Sequence, residues 1–415
     1  MEDIQKVYSL HRKLGFLALG KTGPNPPVSA ILQNGYGEIV SSAHTKPYGQ
    51  NHAERELYGN NPELSGGKLS VSLEPCTHFG KTPPCRDLVL ERRPTNISIG
   101  WKDPNPLVQS GDWKIYQDNG ISVKLDPVLS KISLPFLQGF LKRIQKNKPW
   151  VILKSATTKE GYHSEFPKTR SKISSHGSDL YLQVLRAKVD AVCVGPGTVA
   201  IDAPGLDFRL EELDWERSGD VSLVHKTPKF YDASGGLLQE LLFLDEESFS
   251  IHKQDLDLYQ PIRVFFLPAE EVIPKSFFIK QLELVQKYPK LKNLYFSIQK
   301  GNSVDSLSPN DYKQSYSKEF LDFIDITSDN PIEHLTKNDG EVFLNRMSEF
   351  GLNSILCESG RFFPEFLGPY LEPEDCVLEI RTKTSFKNGI LFPYYNEPIL
   401  TEYWVGEDQW ILRKF

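Results

Sequence analysis

The chain carries an HAE triplet, His52-Ala53-Glu54, and two cysteines, Cys76 and Cys85, each directly after a proline. One imidazole and two thiolates make a three-ligand zinc set that leaves a fourth corner for water. Glu54, one residue from the histidine ligand, is placed to move protons without binding the metal. Taken singly, a lone histidine reads as a satisfied core residue, and a lone cysteine as a small buried hydrophobe. Together, at this spacing and beside a carboxylate, they read as a site. A closed structural zinc site normally takes four ligands, and only three good ones are present here. Eight residues, THFGKTPP, separate the cysteines, too many for an ordinary zinc knuckle.

These residues need elements to hold them. Ile4, Val7, Tyr8, Leu14 and Leu17 fall at helical spacing, so residues 3–18 form an amphipathic helix. Gly23-Pro24-Asn25-Pro26-Pro27 breaks it, and VSAIL follows as a strand. Asn34-Gly35 turns the chain into a second strand, GEIVSSAH, with His44 near its end. HAE opens a helix whose first turn favours anionic groups near the metal. KLSVSL is a strand of period two that delivers Cys76 at its carboxyl end. PCRDLVLERR, NISIGW, GDWKIYQDNG and ISVKL then read as helix, strand, helix, strand. This alternation over about 125 residues predicts a three-layer α/β domain. Residues 135–150 read as an amphipathic helix and a basic linker, with a domain boundary near Asn147.

The second half opens on a strand, WVILKSATTKEG, then a helix ending near Lys188 and an apolar strand, DAVCVG. Gly195 to Thr198 reads as a tight turn whose backbone N–H groups can face a phosphate. QPIRVFF (260–266) reads as a central strand. Cys193, Cys357 and Cys376 read as buried strand residues rather than ligands.

The chain has 415 residues, which suits two or three domains rather than one core. With 39% hydrophobic and 25% charged residues it reads as soluble and globular, and no apolar run reaches a membrane span. MEDIQKVYSL is acidic and polar, unlike a secretory signal. Five cysteines, an odd number at irregular spacing, suit a reduced compartment, most simply the cytoplasm. A net charge of −6 gives no general attraction to nucleic acid. The expected partner is a small molecule, with neither nucleic acid nor membrane. A homo-oligomer is compatible with the sequence, which does not fix it.

The segments TGPNPPVSAIL (22–32), HAE (52–54), LEPCTHFGKTPPC (73–85) and KDPNP (102–106) resemble the bifunctional riboflavin-biosynthesis deaminase–reductase family. The resemblance implies a cytidine-deaminase-like domain over 1–147 and a dihydrofolate-reductase-like α/β domain over 148–415, with an insertion at about 210–259. It implies zinc on His52, Cys76 and Cys85, and Glu54 as the catalytic acid and base. Asn25 would line the substrate pocket, His44 would lie close by, and Lys81 would contact the phosphate of a pyrimidine ribosyl phosphate. Downstream, the order Leu-Arg, Asp-Ala, Gly-x-Gly-Thr-Val, Asp-x-Pro, Leu, Arg in residues 185–209 looks like the pyrimidine reductase of the same pathway, whose hydride donor is NADPH. By position, Arg186, Leu206, Arg209 and Glu358 would contact substrate. Thr157, Thr198, Asp202 and Gly360 would contact cofactor, and Lys154 matches the lysine of the opening strand.

The sequence also departs from the family's pattern. Ser29 stands for a glycine, Thr158-Lys159-Glu160-Gly161 for Ser-Leu-Asp-Gly, and Arg170 and Lys172 for a serine and a tryptophan. Ala203 replaces an acidic or amide residue, and Leu267 an aspartate. These changes keep an alternative open, a deaminase whose reductase-like domain is a non-catalytic scaffold or binding module. A zinc deaminase of another nucleobase is a third reading.

Overall fold

Asp126 and Asn147 set the ends of the longest helix in the first unit. The Asp126 carboxylate accepts from the backbone N–H groups of Val128 and Leu129 at 3.0 Å each, and Asn147 closes the other end in the left-handed region. In this computed structural model, which describes residues 2–108, 113–165, 173–209, 257–299, 316–358, 360–405 and 407–413, the helix is Pro127–Lys146. It thus begins well before residue 135, with Pro135 in its interior. Burial of Leu129, Phe136, Leu137 and Phe140 holds the helix together across that proline.

The chain divides into two compact units, one ending at Lys148 and one beginning at Pro149. In the first, α1 (Glu2–Ala18), β1 (Ser29–Gln33), β2 (Ile39–His44), α2 (Ala53–Gly59) and β3 (Lys68–Leu73) are followed by α3 (Cys85–Arg92), β4 (Asn96–Trp101), α4 (Lys114–Asp118), β5 (Ser122–Leu125) and α5 (Pro127–Lys146). The sheet order is β2-β1-β3-β4-β5. β1 is antiparallel to β2 and β3, while β3, β4 and β5 run parallel.

Side chains alternate across a strand, so pairing assigns the helix layers. Ile31 packs with Val7 and Leu14 of α1. Leu32 faces the other way and pairs with Ser41, whose hydroxyl donates to the Leu57 carbonyl of α2 at 3.0 Å. α1 and α2 therefore cover opposite faces. α5 packs beside α1, where a Cβ on Gly15 would sit 2.4 Å from the Phe136 ring, so only glycine permits that approach.

His11 of α1 is buried between two serines, its Nδ1 2.9 Å from Ser29 Oγ and its Nε2 2.7 Å from Ser70 Oγ. Burial drives its pKa down to about 3, with Asp126 opposing only weakly. The unfolded chain binds that proton near pH 6.5 and the folded chain does not. Stability is therefore complete above about pH 6.5 and is lost as pH falls toward 3, by on the order of 5 kcal/mol from this group. We expect the His11 ring resonances to stay those of neutral imidazole down to about pH 4 in the folded protein. A mid-range titration would contradict the assignment.

The second unit contains β6 (Trp150–Thr157), β7 (Tyr162–Glu165), α6 (His176–Lys188), β8 (Ala191–Val194), α7 (Pro196–Asp202), β9 (Ile262–Leu267), α8 (Lys275–Lys287) and β10 (Asn293–Gln299). It continues with α9 (Lys318–Thr327), β11 (Glu333–Thr336), α10 (Gly340–Glu349), β12 (Ser354–Glu358), α11 (Phe362–Leu367), β13 (Cys376–Arg381), β14 (Gly389–Leu391), β15 (Ile399–Val405) and β16 (Asp408–Arg413). The nine-stranded sheet is ordered β11-β10-β9-β8-β12-β6-β13-β16-β15. It is parallel from β11 to β13 and antiparallel beyond. A buried parallel strand carries apolar side chains on both faces, as the fully buried Ala-Val-Cys-Val of β8 does. β7 and β14 form a separate two-stranded ribbon.

Three local expectations change. Gly195 to Thr198 is not a free turn but the cap and first turn of α7, with Pro196 preset for the first helical position. QPIRVFF supplies β9, third from the β11 edge rather than at the centre. Cys193 and Cys357 are buried, but Cys376 is only half-buried, at the start of β13. Arg170, Lys172 and the segment from 210 to 256 lie outside the described residues. Among the described residues, no helix is long and apolar enough to cross a membrane.

Candidate active sites

In the first unit three short-range decisions converge. His52 is the N-cap of α2, in extended backbone, and its ring makes no capping bond, which leaves it to turn toward the cysteines. Cys76 lies three residues past the end of β3, at the sheet edge where parallel strands end. Cys85 starts α3, and its N–H donates to Cys76 Sγ at 3.4 Å. The loop between the cysteines is tied to α2 by Arg55, which donates to the carbonyls of Pro83 at 3.0 Å and Pro84 at 3.3 Å.

His52 Nδ1 lies 3.5 Å from both Cys76 Sγ and Cys85 Sγ, and the three ligand atoms are all within 4.8 Å of one another. A tetrahedral zinc with bonds of about 2.1 Å to nitrogen and 2.3 Å to sulfur requires ligand separations of about 3.6 Å. The donor set fits zinc in type and in spacing. It is the one such cluster among the described residues.

The electrostatics agree with that fit. Cys76 is held as the thiolate, at about 4, by the hydrogen bond from the Cys85 thiol and by His52, against the effect of burial. The Cys85 thiol is pushed up by that same bond to Cys76 and by burial. Glu54, 3% exposed, is raised to about 7, first by burial and then by the charge on Cys76. Two sulfurs and a carboxylate thus compete for negative charge in one dry place. A dication relieves all three, because a coordinated thiol is deprotonated outright.

Val108 packs on both cysteines and seals them from one side. Its loop is anchored by Glu74, which accepts from Trp113 Nε1 at 2.6 Å and from the Asp103 N–H at 3.2 Å. Sequence reasoning missed this anchor, since nothing in residues 74 and 113 taken locally joins them. Asn25 is half-buried in the turn before β1, beside a Pro24 carbonyl that Arg143 holds at 2.7 Å. His44 contacts the Thr45 carbonyl through Nδ1 at 2.9 Å. Lys81 is exposed, its Nζ 4.0 Å over the Tyr48 ring.

The second unit holds a cavity of about 460 Å³ at the carboxyl ends of β6, β8 and β12, where parallel α/β sheets place ligands. It gathers Lys154, Arg186, Thr198, Asp202, Leu206, Arg209, Glu358 and Gly360 from five separate stretches of chain. His163 of β7 and Lys280 of α8 also line it, and sequence reasoning singled out neither. The His163 ring lies so near Gly360 that a Cβ there would fall 2.0 Å from Nδ1. Thr157 does not line the cavity. Its hydroxyl donates to Glu379 Oε1 at 2.6 Å, and both residues are fully buried in the sheet. Along β6, Thr157 shares the face of Ser155, which lines the cavity, but its hydroxyl is committed to Glu379.

Arg186 and Glu358 form a bidentate pair, Nε to Oε1 at 2.6 Å and Nη2 to Oε2 at 3.0 Å. Burial pushes the Glu358 carboxyl up, but Arg186 and Lys154 outweigh it and hold the group below the usual range. Burial lowers Lys154, against the pull of Glu358. Lys154, Arg186, Arg209 and Lys280 face Asp179, Asp202 and Glu358, so cations exceed carboxylates at the cavity wall. That balance suits an anionic ligand.

Fold and sites together define the class: a two-unit α/β protein with a His/Cys/Cys cluster in the first unit and a cation-lined cavity in the second. The "RibD C-terminal domain" family matches residues 149–230. The riboflavin biosynthesis protein RibD of Mycobacterium tuberculosis is 31% identical over 217 residues, which span 51% of this chain and 64% of that relative. A diaminohydroxyphosphoribosylaminopyrimidine deaminase/5-amino-6-(5-phosphoribosylamino)uracil reductase from Thermotoga maritima superposes with a TM-score of 0.68 at 21% identity, over 100% of this chain and 99% of that one. RibD from Acinetobacter baumannii gives 0.71 at 19% identity with the same coverage. At these identities the likeness to the solved structures is one of fold. The chain is thus similar to RibD proteins of riboflavin biosynthesis over less than two thirds of their length, and its residues 149–230 match the family of their C-terminal domain.

Proposed function

We propose that the N-terminal unit deaminates 2,5-diamino-6-ribosylamino-4(3H)-pyrimidinone 5′-phosphate by hydrolysis, and that the C-terminal unit reduces the product's ribosyl group to ribityl with NADPH. The observation that carries the first half is the meeting of His52, Cys76 and Cys85 around the buried Glu54. Zinc held there would supply a Lewis acid that brings the ionisation of water near neutrality. Hydrolytic deamination adds water at the amine-bearing ring carbon, breaks the carbon–nitrogen bond and releases ammonia. Glu54 is the group that accepts the proton from water and delivers protons to the ring nitrogen and the departing amine. Its carboxyl, buried beside the ligand set, is placed to transfer protons in both directions. Val108 keeps bulk water off the sulfurs.

Metal analysis combined with an ammonia assay tests this directly. We expect one zinc per chain, and loss of ammonia release on chelation with recovery on adding zinc back. Release from cytidine or adenosine, but none from the pyrimidinone phosphate, would overturn the substrate. Lys81 is the proposed phosphate contact, presented on the Tyr48 ring. Replacing it with alanine should raise KM for the phosphorylated substrate roughly tenfold, with kcat changed far less. An unchanged KM would remove Lys81 from the site.

In the second unit, NADPH would supply hydride when bound. The chain's own task is to hold an anionic sugar phosphate, for which Lys154, Arg186, Arg209 and Lys280 are gathered, and arginine suits bidentate recognition. Thr198 and Asp202 of α7 are the proposed cofactor contacts on the same wall, with Gly360 opposite His163.

A second reading, a deaminase whose other unit only binds or scaffolds, draws support from Thr157 facing Glu379 and from the mutual pairing of Arg186 and Glu358. NADPH oxidation on adding the deaminated intermediate separates the two. Turnover favours reduction, and its absence with intact deamination favours the scaffold.

A further inference from the structure

Residues 203–209 run from the end of α7 along the cavity wall and belong to no helix or strand. Two of them, Ala203 at φ 45° and Leu206 at φ 61°, sit in the left-handed region without being glycine. Such conformations are costly and persist where the surroundings over-determine them.

The surroundings do so here with side chains. Lys280 donates to the Ala203 carbonyl at 3.0 Å, Gln281 to Pro204 at 2.8 Å and Arg263 to Gly205 at 3.1 Å. Gln260 accepts from the Phe208 N–H at 3.0 Å and donates to its carbonyl at 2.9 Å, and Gln183 accepts from the Arg209 N–H at 3.2 Å. Six backbone groups of a seven-residue stretch are thus held one by one, from α6, α8, β9 and Gln260, two residues before β9.

Arg263 is the unusual member. It is fully buried, and its Nη1 is shared between Gly205 and the Gln281 side chain at 2.7 Å. Its Nε and Nη2 find no partner among the described residues. An apolar side chain of similar volume would avoid that desolvation cost, so stability alone does not account for a guanidinium here. A fixed backbone register does, because a donor at the end of a rigid strand places the Gly205 carbonyl, and with it Leu206.

We infer that Arg263 and Gln281 are positioning residues, which hold the Ala203–Leu206 segment so that Leu206 and Arg209 present the correct wall to the ligand of the C-terminal cavity. The inference rests on reading that cavity as the sugar-phosphate site. Gln281 is the link in the pair, since it accepts from Arg263 and donates to Pro204.

Gln281→Glu separates positioning from folding. A glutamate still accepts from Arg263, now as an ion pair, but cannot donate to the Pro204 carbonyl. In the full-length chain we expect KM for the deaminated sugar phosphate to rise about tenfold, with kcat within a few-fold and the melting temperature close to the parent's. Arg263→Met should shift KM in the same direction. Hydrogen exchange at the Phe208 and Arg209 amides gives a readout that needs no turnover, and both amides should lose protection in Gln281→Glu while β8 and β12 keep theirs. Variants that lower only the melting temperature, with KM and both amides unchanged, would overturn the role. Should the parent oxidise no NADPH, the proposed reduction fails. The exchange result then decides alone, lost protection supporting the positioning role and retained protection overturning it.

Discussion

Replacing Glu54 with glutamine should abolish ammonia release, by on the order of a thousandfold or more, while zinc content stays at the parent level. The two side chains have the same shape, so the buried space beside the cysteines is kept. What disappears is the ability to take and return a proton. Glu54 is not among the three residues whose donor atoms cluster at 4.8 Å or less, so the metal set remains complete. The amide also removes a negative charge from beside Cys76 and Cys85, which already compete for charge with a buried carboxyl. Zinc content should stay near the parent level because Glu54 supplies none of the three ligand atoms. Two measurements on one preparation check this, metal by atomic absorption and ammonia by a coupled assay. Parent-rate release from the glutamine variant would show that protons travel by another route. Loss of zinc together with activity would show that Glu54 acts through the metal set instead.

Removing one partner of the Arg186–Glu358 pair should be the most damaging single change in the second unit. Both side chains are 12% exposed, and they meet through two hydrogen bonds. Arg186→Met leaves a carboxylate in a low-dielectric wall, at a cost of about 3 kcal/mol. Lys154 remains nearby and limits the loss, since it already helps to hold Glu358 ionised. Glu358→Met in the same chain should restore much of the lost stability, because an apolar pair of similar volume no longer buries an unpaired charge. Reduction should vanish in both the single and the double variant, since neither recovers the polar wall. Denaturant unfolding followed alongside NADPH oxidation checks the two parts separately. Equal stability of the single variant and the parent would show that Glu358 finds water or another cation readily.

The cluster of His52, Cys76 and Cys85 was legible in the sequence because its signals are local. HAE puts a ligand at a helix cap and a carboxylate two residues on, and each cysteine follows a proline at the start or end of an element. Helix and strand periods placed most elements of the first unit, since a periodic apolar face reports burial without a partner being known. The start of α5 was not legible because tertiary burial of residues on both sides of Pro135, from Leu129 to Phe140, carries the helix through an interior proline. The pairing of Thr157 with Glu379 was not legible, because Glu379 lies 222 residues away on a strand that only the sheet order brings alongside.

The amino-acid sequence alone singled out His52, Cys76, Cys85 and Glu54 as candidate site residues and set the α/β character of both halves. These depend on residue type and on spacings of a few residues, which covalent geometry and hydrogen-bond period convert directly into shape. The tertiary structure alone decided which cations share the second cavity, that Arg186 and Glu358 face each other, that Val108 covers the sulfurs and that Arg263 and Gln281 grip residues 204 and 205. Each of those contacts joins separate elements, and its existence follows from strand order and packing, which no local period records.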